Sequence, residues 1–219
     1  MFYTPRCLTE GLVSVEDCNR LASVTLQHRE TWDGFDEYPT LPLFTIGSPV
    51  YRATSWEHYV AARAKSSIFL TVHTRWLKNR MIEQLQNALR REGKPLSGSS
   101  DFGMHVFSNC NGLRESKYSL QSYHRDHDVL RMYPNVGIRS NSIFSFIVPI
   151  AIPESGAGLD WRLAEPDKQR LTYKLGDMYV WNGSVEHKFS DLQLNGDETR
   201  ITFQGHGFIA NEHTFYYYW

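Results

Sequence analysis

The chain has 219 residues, 41% of them hydrophobic, and a formal net charge of −1, which suits one globular domain able to bury a sizeable core. Near-neutral charge with scattered Lys and Arg gives no electrostatic footprint for nucleic acid, and no basic run suits a membrane surface, so neither is expected as a partner. The opening MFYTPRCLTEG lacks an apolar core of signal-peptide length, and no stretch reaches the roughly eighteen uninterrupted apolar residues of a membrane helix, so the cytoplasm is the default compartment.

Cys7, Cys18 and Cys110 contain no C-x-x-C pair, which argues for reduced, space-filling thiols rather than a disulfide framework or zinc ribbon. Ser14 as N-cap with Asp17 three residues on predicts a helix to about residue 29, with Leu21, Val24 and Leu26 as apolar positions. His28 and Glu30 form an H-x-E pair, but a helix turns residues i and i+2 to different faces, so they are rejected as joint metal ligands. Residues 31–49, rich in Pro and Gly, read as an ordered loop. Residues 55–91 hold no Gly or Pro and repeat apolar side chains at helical intervals, predicting one long helix or two packed on a sheet. Gly, Pro and Ser between residues 93 and 100 close this helical region, and the β part is expected from about Phe102. One domain over 1–219 follows, with 1–100 as helical support and 101–219 as the β core carrying the site.

Residues 117–128 are compatible with a strand, on which His124 and Asp126 share a face and can chelate one metal side by side. Tyr118, Leu120 and Ser122 fall on that same face. A slip of register would substitute His127 or Asp128, although these fit the start of a solvated loop better. Residues 133–137 form a turn or lid, 142–152 a strand apolar on both faces, and 158–162 a short strand whose Trp161 packs in the core or against substrate. Residues 171–181 read as two short strands joined at Gly176 and Asp177, and the turn signal Asn182-Gly183 precedes the strand of His187. On the last long strand Arg200, Thr202, Gln204 and His206 share one polar face, which lines a wet cavity or, more simply for Arg200 taken alone, belongs to a solvated edge. A structural role suits His206, a packed or hydrogen-bonded one suits His105, and His58, His73 and His213 lack partners at chelating spacing. The five aromatics at 215–219 cap the core, build a dimer interface or cover a pocket.

Two imidazoles and a carboxylate on a β scaffold are the ligand set of the facial triad that holds non-haem Fe(II). The H-x-D pair alone decides little, since roughly half of one is expected by chance in a chain of this composition. Its order is more specific: His124 and Asp126, the distal His187, then Arg200 and Thr202 as R-x-[ST]. This order resembles the Fe(II)/2-oxoglutarate-dependent dioxygenases over roughly residues 101 to 209. The resemblance implies a mainly β fold with a helical layer (α+β), a double-stranded β-helix (jelly-roll, cupin-like) core preceded by N-terminal helices. It implies Fe(II) on His124, Asp126 and His187, with 2-oxoglutarate and O2 as co-substrates. Arg200 and Thr202 would take the far carboxylate, and Tyr118 is a candidate third contact. The products are succinate, CO2 and a small molecule hydroxylated or otherwise oxidised at C–H. Related halogenases carry a small residue where Asp126 stands, so hydroxylation, desaturation or cyclisation is expected here rather than halogenation. Arg125, Arg131, Arg139 and Arg162, near the expected mouth, lean toward an amino acid or acidic natural product. Two other classes fit the same residues. One is a cupin-like metal dioxygenase that does without 2-oxoglutarate; the other is a non-catalytic jelly-roll module whose Trp161, Trp181 and C-terminal aromatics stack on a ligand.

Overall fold

The structure, a computed structural model, describes residues 2–34, 42–53, 55–100, 102–108, 117–118, 123–164, 166–190 and 192–219. In chain order these form β1 (Arg6–Thr9), α1 (Val15–Gln27), β2 (Asp33–Gly34), β3 (Leu43–Ile46), α2 (Trp56–Leu89), β4 (Glu92–Pro95), β5 (Gly103–Ser108) and β6 (Lys117–Tyr118). There follow α3 (Asp128–Met132), β7 (Ile143–Ala151), β8 (Gly158–Arg162), β9 (Gln169–Thr172), β10 (Met178–Asn182), β11 (Glu186–Phe189), β12 (Leu192–Gln193), β13 (Thr199–Ile209) and β14 (Thr214–Tyr218). The major sheet runs β1-β10-β7-β13-β5-β3-β2, with β14 on β13 and β4 on β14; a minor sheet, β11-β8-β9, faces it across a cavity. Every pairing is antiparallel except β14 with β4. Two sheets, antiparallel but for that one pair, close on one cavity with helices on the outside of the larger and form the expected double-stranded β-helix.

The alternation of β7 explains how the layers meet. Phe144, Phe146, Val148 and Ile150 point outward into a core shared with Leu21 of α1 and Leu77, Met81 and Leu85 of α2. Ser145 and Ile147 point inward and line the cavity. Leu77, Met81 and Leu85 are fully buried, and each contributes roughly 1.5–3 kcal/mol of transfer free energy. Residues 55–91 thus hold one helix, α2. It contains no Gly or Pro to break it, and no described helix is long and apolar enough to cross a membrane. Helix α1 begins as read, with Ser14 Oγ accepting from the Asp17 amide at 3.1 Å. It ends two residues early, where His28 takes a non-helical φ of −107° and starts a short 3₁₀ turn. Cys7 and Cys18 are free thiols, and Cys110 lies outside the described residues.

Three expectations need correction. The first hundred residues are more than a helical support, because β1, β3 and β4 are integral to the major sheet. Residues 31–49 are more than a loop, because β2 and β3 pair with each other and β3 pairs with β5; residues 35–41 lie outside the described set. Strands β1 and β3 are four residues each between Pro and Gly breakers, and their hydrogen bonds come from distant partners, so local pattern does not reveal them. Of the strand expected at 117–128, the described residues carry Lys117–Tyr118 and an isolated bridge at His124, residues 119–122 lie outside the described set, and Asp128 already opens α3, which ends the strand early. Of the three roles left open for the C-terminal aromatics, the fold selects the core. Trp219 is fully buried, and its ring lies where a Cβ on Gly103 would be, 1.7 Å away.

Candidate metal centre and cavity

The inward face of the major sheet is built in rows. Trp181, Ser145, His206 and Tyr218 are successive register partners across β10, β7, β13 and β14. Tyr179, Ile147 and Gln204 form the next row, then Pro149, Thr202 and His105. Arg200 lies beside Phe107 at the far end. This floor and the minor sheet enclose a cavity of about 180 Å³.

His187, His124 and Asp126 meet at the first row. His124 and His187 exchange both backbone hydrogen bonds at 3.0 Å, which sets their rings 4.5 Å apart. The Asp126 amide donates to Gly183 O at 2.8 Å. A Cβ on Gly183 would come within 2.8 Å of Ile143 and 3.3 Å of the Asp126 Cβ. The Asn182-Gly183 turn is therefore what lets the aspartate strand close on the histidine strand. His187 Nε2 is 3.3 Å from Asp126 Oδ2, His124 Nε2 is 3.8 Å from Oδ1, and one ligand atom from each residue fits within 4.8 Å of the others. His187 Nδ1 donates to Val185 O at 2.8 Å, so its Nε2 keeps the lone pair a metal needs. Burial opposes charge on both Asp126 and His187, but their mutual attraction wins: the carboxyl is held well below its usual range and the imidazole is raised above 6.5. His127 bonds Ser184 Oγ at 3.0 Å instead of joining this set. His28 and Glu30 pair with each other at the surface.

At the far end Arg200 is 2% exposed, on a strand hydrogen-bonded on both sides, which overturns the solvated-edge reading. Its guanidinium carbon lies 4.6 Å from the Phe189 ring, 5.2 Å from Phe107 and 6.0 Å from Tyr173. Neither Nη1 nor Nη2 has a hydrogen-bond partner among the described residues, nor do the buried Tyr173 hydroxyl and Trp181 Nε1. Burial pulls the Arg200 pKa down to about 10. Thr202 Oγ1 donates to Gln204 Oε1 at 3.2 Å. Tyr118 pairs with Leu192 in the backbone, but its side chain lies outside the described set; Tyr173 is the tyrosine seen beside Arg200.

Several cavity residues went unnoticed in the sequence. Tyr51 Oη lies 2.5 Å from His105 Nε2, and Ser145 bridges Asp126 and His206. Ser145 had a readable signal, an inward polar residue in an apolar strand; Tyr51 had none. Three of the four arginines of the expected mouth have partners within the protein: Arg125 and Arg162 both pair with Glu186, at 3.2 and 2.8 Å, and Arg131 donates to the carbonyls of Ala53 and Val50.

No protein-family model matches the chain. A 94-residue stretch, 43% of the chain, is 29% identical to the serine/threonine-protein kinase MEC1 of Candida glabrata, of whose length the chain spans 4%. Among solved structures, the chain is similar to the non-heme alpha-ketoglutarate-dependent epimerase SnoN from nogalamycin biosynthesis, with a TM-score of 0.53 and 11% identity over 91% of this chain and 78% of that one. HygX from Streptomyces hygroscopicus, with nickel and 2-oxoglutarate bound, aligns at a TM-score of 0.49 and 12% identity over 90% and 80% of the two chains. An N-substituted L-amino acid dioxygenase from Burkholderia ambifaria aligns at 0.49 and 10% over 100% of both. At these identities the likeness is one of fold.

Proposed function

We propose that the protein is an Fe(II)- and 2-oxoglutarate-dependent oxygenase that hydroxylates a C–H bond of a small molecule, releasing succinate and CO2. One observation carries the reading: a His-Asp-His set lines a cavity whose Tyr173 and Phe189 wall packs against a buried guanidinium without partners among the described residues. Burying an unpaired cation costs several kcal/mol. That cost is recovered when an anion arrives, and a guanidinium fork matches a carboxylate with two parallel hydrogen bonds. The Tyr173 hydroxyl adds a further donor beside it, and Thr202 a hydroxyl on the same strand face, so the far end suits the distal carboxylate of a dicarboxylate. At the near end two imidazole nitrogens and one carboxylate suit Fe(II) with positions left open for co-substrates.

The chain's own contributions follow. His124, Asp126 and His187 would hold iron, and Arg200, Thr202 and Tyr173 would fix the co-substrate's free end. Ile147, Leu159 and Phe189 wall the cavity against water. Bound iron supplies O2 activation coupled to oxidative decarboxylation of the keto acid. With a carboxylate at position 126 there is no ligand gap for a halide, which favours hydroxylation. SnoN, similar in fold, is an epimerase by name, and that is the competing outcome of the same oxidation.

The test is anaerobic titration of the iron-loaded protein with 2-oxoglutarate, following the visible metal-to-ligand charge-transfer band. The band is expected in the parent, and absent from His187→Ala and from Arg200→Leu at the same concentrations. A parent protein with iron bound but no band and no affinity for 2-oxoglutarate would end this reading in favour of a cupin-like dioxygenase or a binding module.

A further inference from the structure

Asp126 is held by more than its neighbours on the metal side. Ser145 Oγ donates to Asp126 Oδ2 at 2.5 Å and lies 2.8 Å from His206 Nδ1. The first row of the sheet floor places these groups, since Ser145 is the register partner of Trp181 on one side and of His206 on the other. Ser145 is 1% exposed on a strand where every flanking position is apolar, a place where Val or Ile is the ordinary occupant. The His206 ring is stacked on Tyr218, 5.6 Å away at 28°, which restricts its rotation.

Proton counting gives this chain of contacts a direction. A serine hydroxyl has one proton to donate, and a metal-ligating carboxylate can only accept. The Ser145 proton is therefore committed to Asp126. The 2.8 Å contact with His206 must then use a proton on Nδ1, donated to Ser145 Oγ. Nε2 is left as an acceptor on a ring that borders the cavity.

We propose that Ser145 and His206 are positioning residues for the metal ligand: the relay from His206 Nδ1–H to Ser145 Oγ–H to Asp126 Oδ2 occupies one carboxylate oxygen, so that Asp126 serves the metal through the other alone. Without the relay, Oδ2 is free to turn onto the metal as a second ligand atom and take a position that a co-substrate needs. The inference rests on the metal reading of His124, Asp126 and His187, and not on 2-oxoglutarate.

The test is anaerobic Co(II) titration of the metal-free protein, read by visible d–d absorption and by calorimetry, on four variants. An asparagine amide can place its N–H near the Nδ1 position of histidine, whereas a glutamine amide reaches the Nε2 position. Ser145→Ala and His206→Gln are expected to weaken Co(II) binding about 10–100-fold, the range for partners that orient metal ligands, while Ser145→Thr and His206→Asn stay within about threefold of the parent. The Ser145→Ala spectrum should also differ from the parent's, as a second carboxylate oxygen takes the place of a solvent ligand. Parental affinity in Ser145→Ala or His206→Gln, or equal losses in His206→Asn and His206→Gln, would overturn the relay. If Ser145→Ala fails to melt cooperatively without metal, the contrast at position 206 decides alone. A protein that shows this Co(II) pattern but ignores 2-oxoglutarate keeps the relay and loses the oxygenase reading; one that binds 2-oxoglutarate and is indifferent to Ser145→Ala does the reverse.

Discussion

The two ends of β13 solve the problem of buried polarity in opposite ways. At the metal end the three ligand side chains and their supports satisfy one another, and Trp181 Nε1 stands beside them without a partner among the described residues: Asp126 takes a hydrogen bond from Ser145, His187 gives one to Val185, and the aspartate and histidine attract each other. At the arginine end Arg200 Nη1 and Nη2 and the Tyr173 hydroxyl are buried without partners among the described residues. The first end is organised before any ligand arrives, whereas the second holds a cation with no partner among the described residues, the group that the proposed function assigns to the co-substrate. Preorganisation and stored affinity are thus separated along one strand, β13, which carries His206 at one end and Arg200 at the other.

The sharpest way to break this contrast is Arg200→Leu. Losing one member of a buried, hydrogen-bonded charge pair costs about 2–5 kcal/mol, so 2-oxoglutarate affinity by calorimetry should fall by a factor of roughly 30 to several thousand. The ligand-free protein should instead gain about 2 kcal/mol in denaturant unfolding, because an apolar side chain replaces an unpaired buried charge. A loss of ligand-free stability would mean that Arg200 is already compensated, and the two ends would not differ as described.

Acidification probes the metal end. The folded pKa of His187 is raised above 6.5 because Asp126 outweighs the effect of burial. Its protonated form therefore stabilises the metal-free fold fully below pH 6.5, and that contribution fades as pH rises through the higher folded value. Metal binding has the opposite sign, since only the neutral imidazole ligates. Co(II) affinity should hold above the raised pKa and drop about tenfold per pH unit below it, a decline already under way at pH 6.5. An onset below pH 6 would contradict the coupling.

Tyr173→Phe sharpens the arginine end. Removing one neutral donor should weaken 2-oxoglutarate about tenfold and leave Co(II) affinity and unfolding free energy unchanged within error. The smallest effect is expected away from both ends: Ser14→Ala removes the cap of α1 and should cost ~1 kcal/mol in denaturant unfolding, with no change in Co(II) or 2-oxoglutarate titrations.

Much of this was legible in the chain. The Ser14 cap, the uninterrupted helical run from which α2 forms, the doubly apolar β7 and the Gly176 and Asn182-Gly183 turns each follow from short-range pattern. So does the alternation that puts Arg200, Thr202, Gln204 and His206 on one face of β13. Strands β1 and β3 were not legible, because four residues between breakers do not declare a partner more than fifty residues away. The same limit hid Tyr51 beside His105 and Tyr173 beside Arg200.

The sequence by itself determined which residue types were available and which faces they shared: two histidines and an aspartate in ligand order, then an arginine followed by a threonine on an alternating strand. Periodicity carries that much, since it records which way a side chain points within its own element. Only the tertiary structure decided that Arg200 is buried rather than solvated and lacks a partner among the described residues. It also decided that Ser145 and His206 stand behind Asp126, and that Arg125 and Arg162 pair with Glu186. These are facts of distance between strands far apart in the chain, and they set whether a charge is screened by water, neutralised by a neighbour or left to await a ligand.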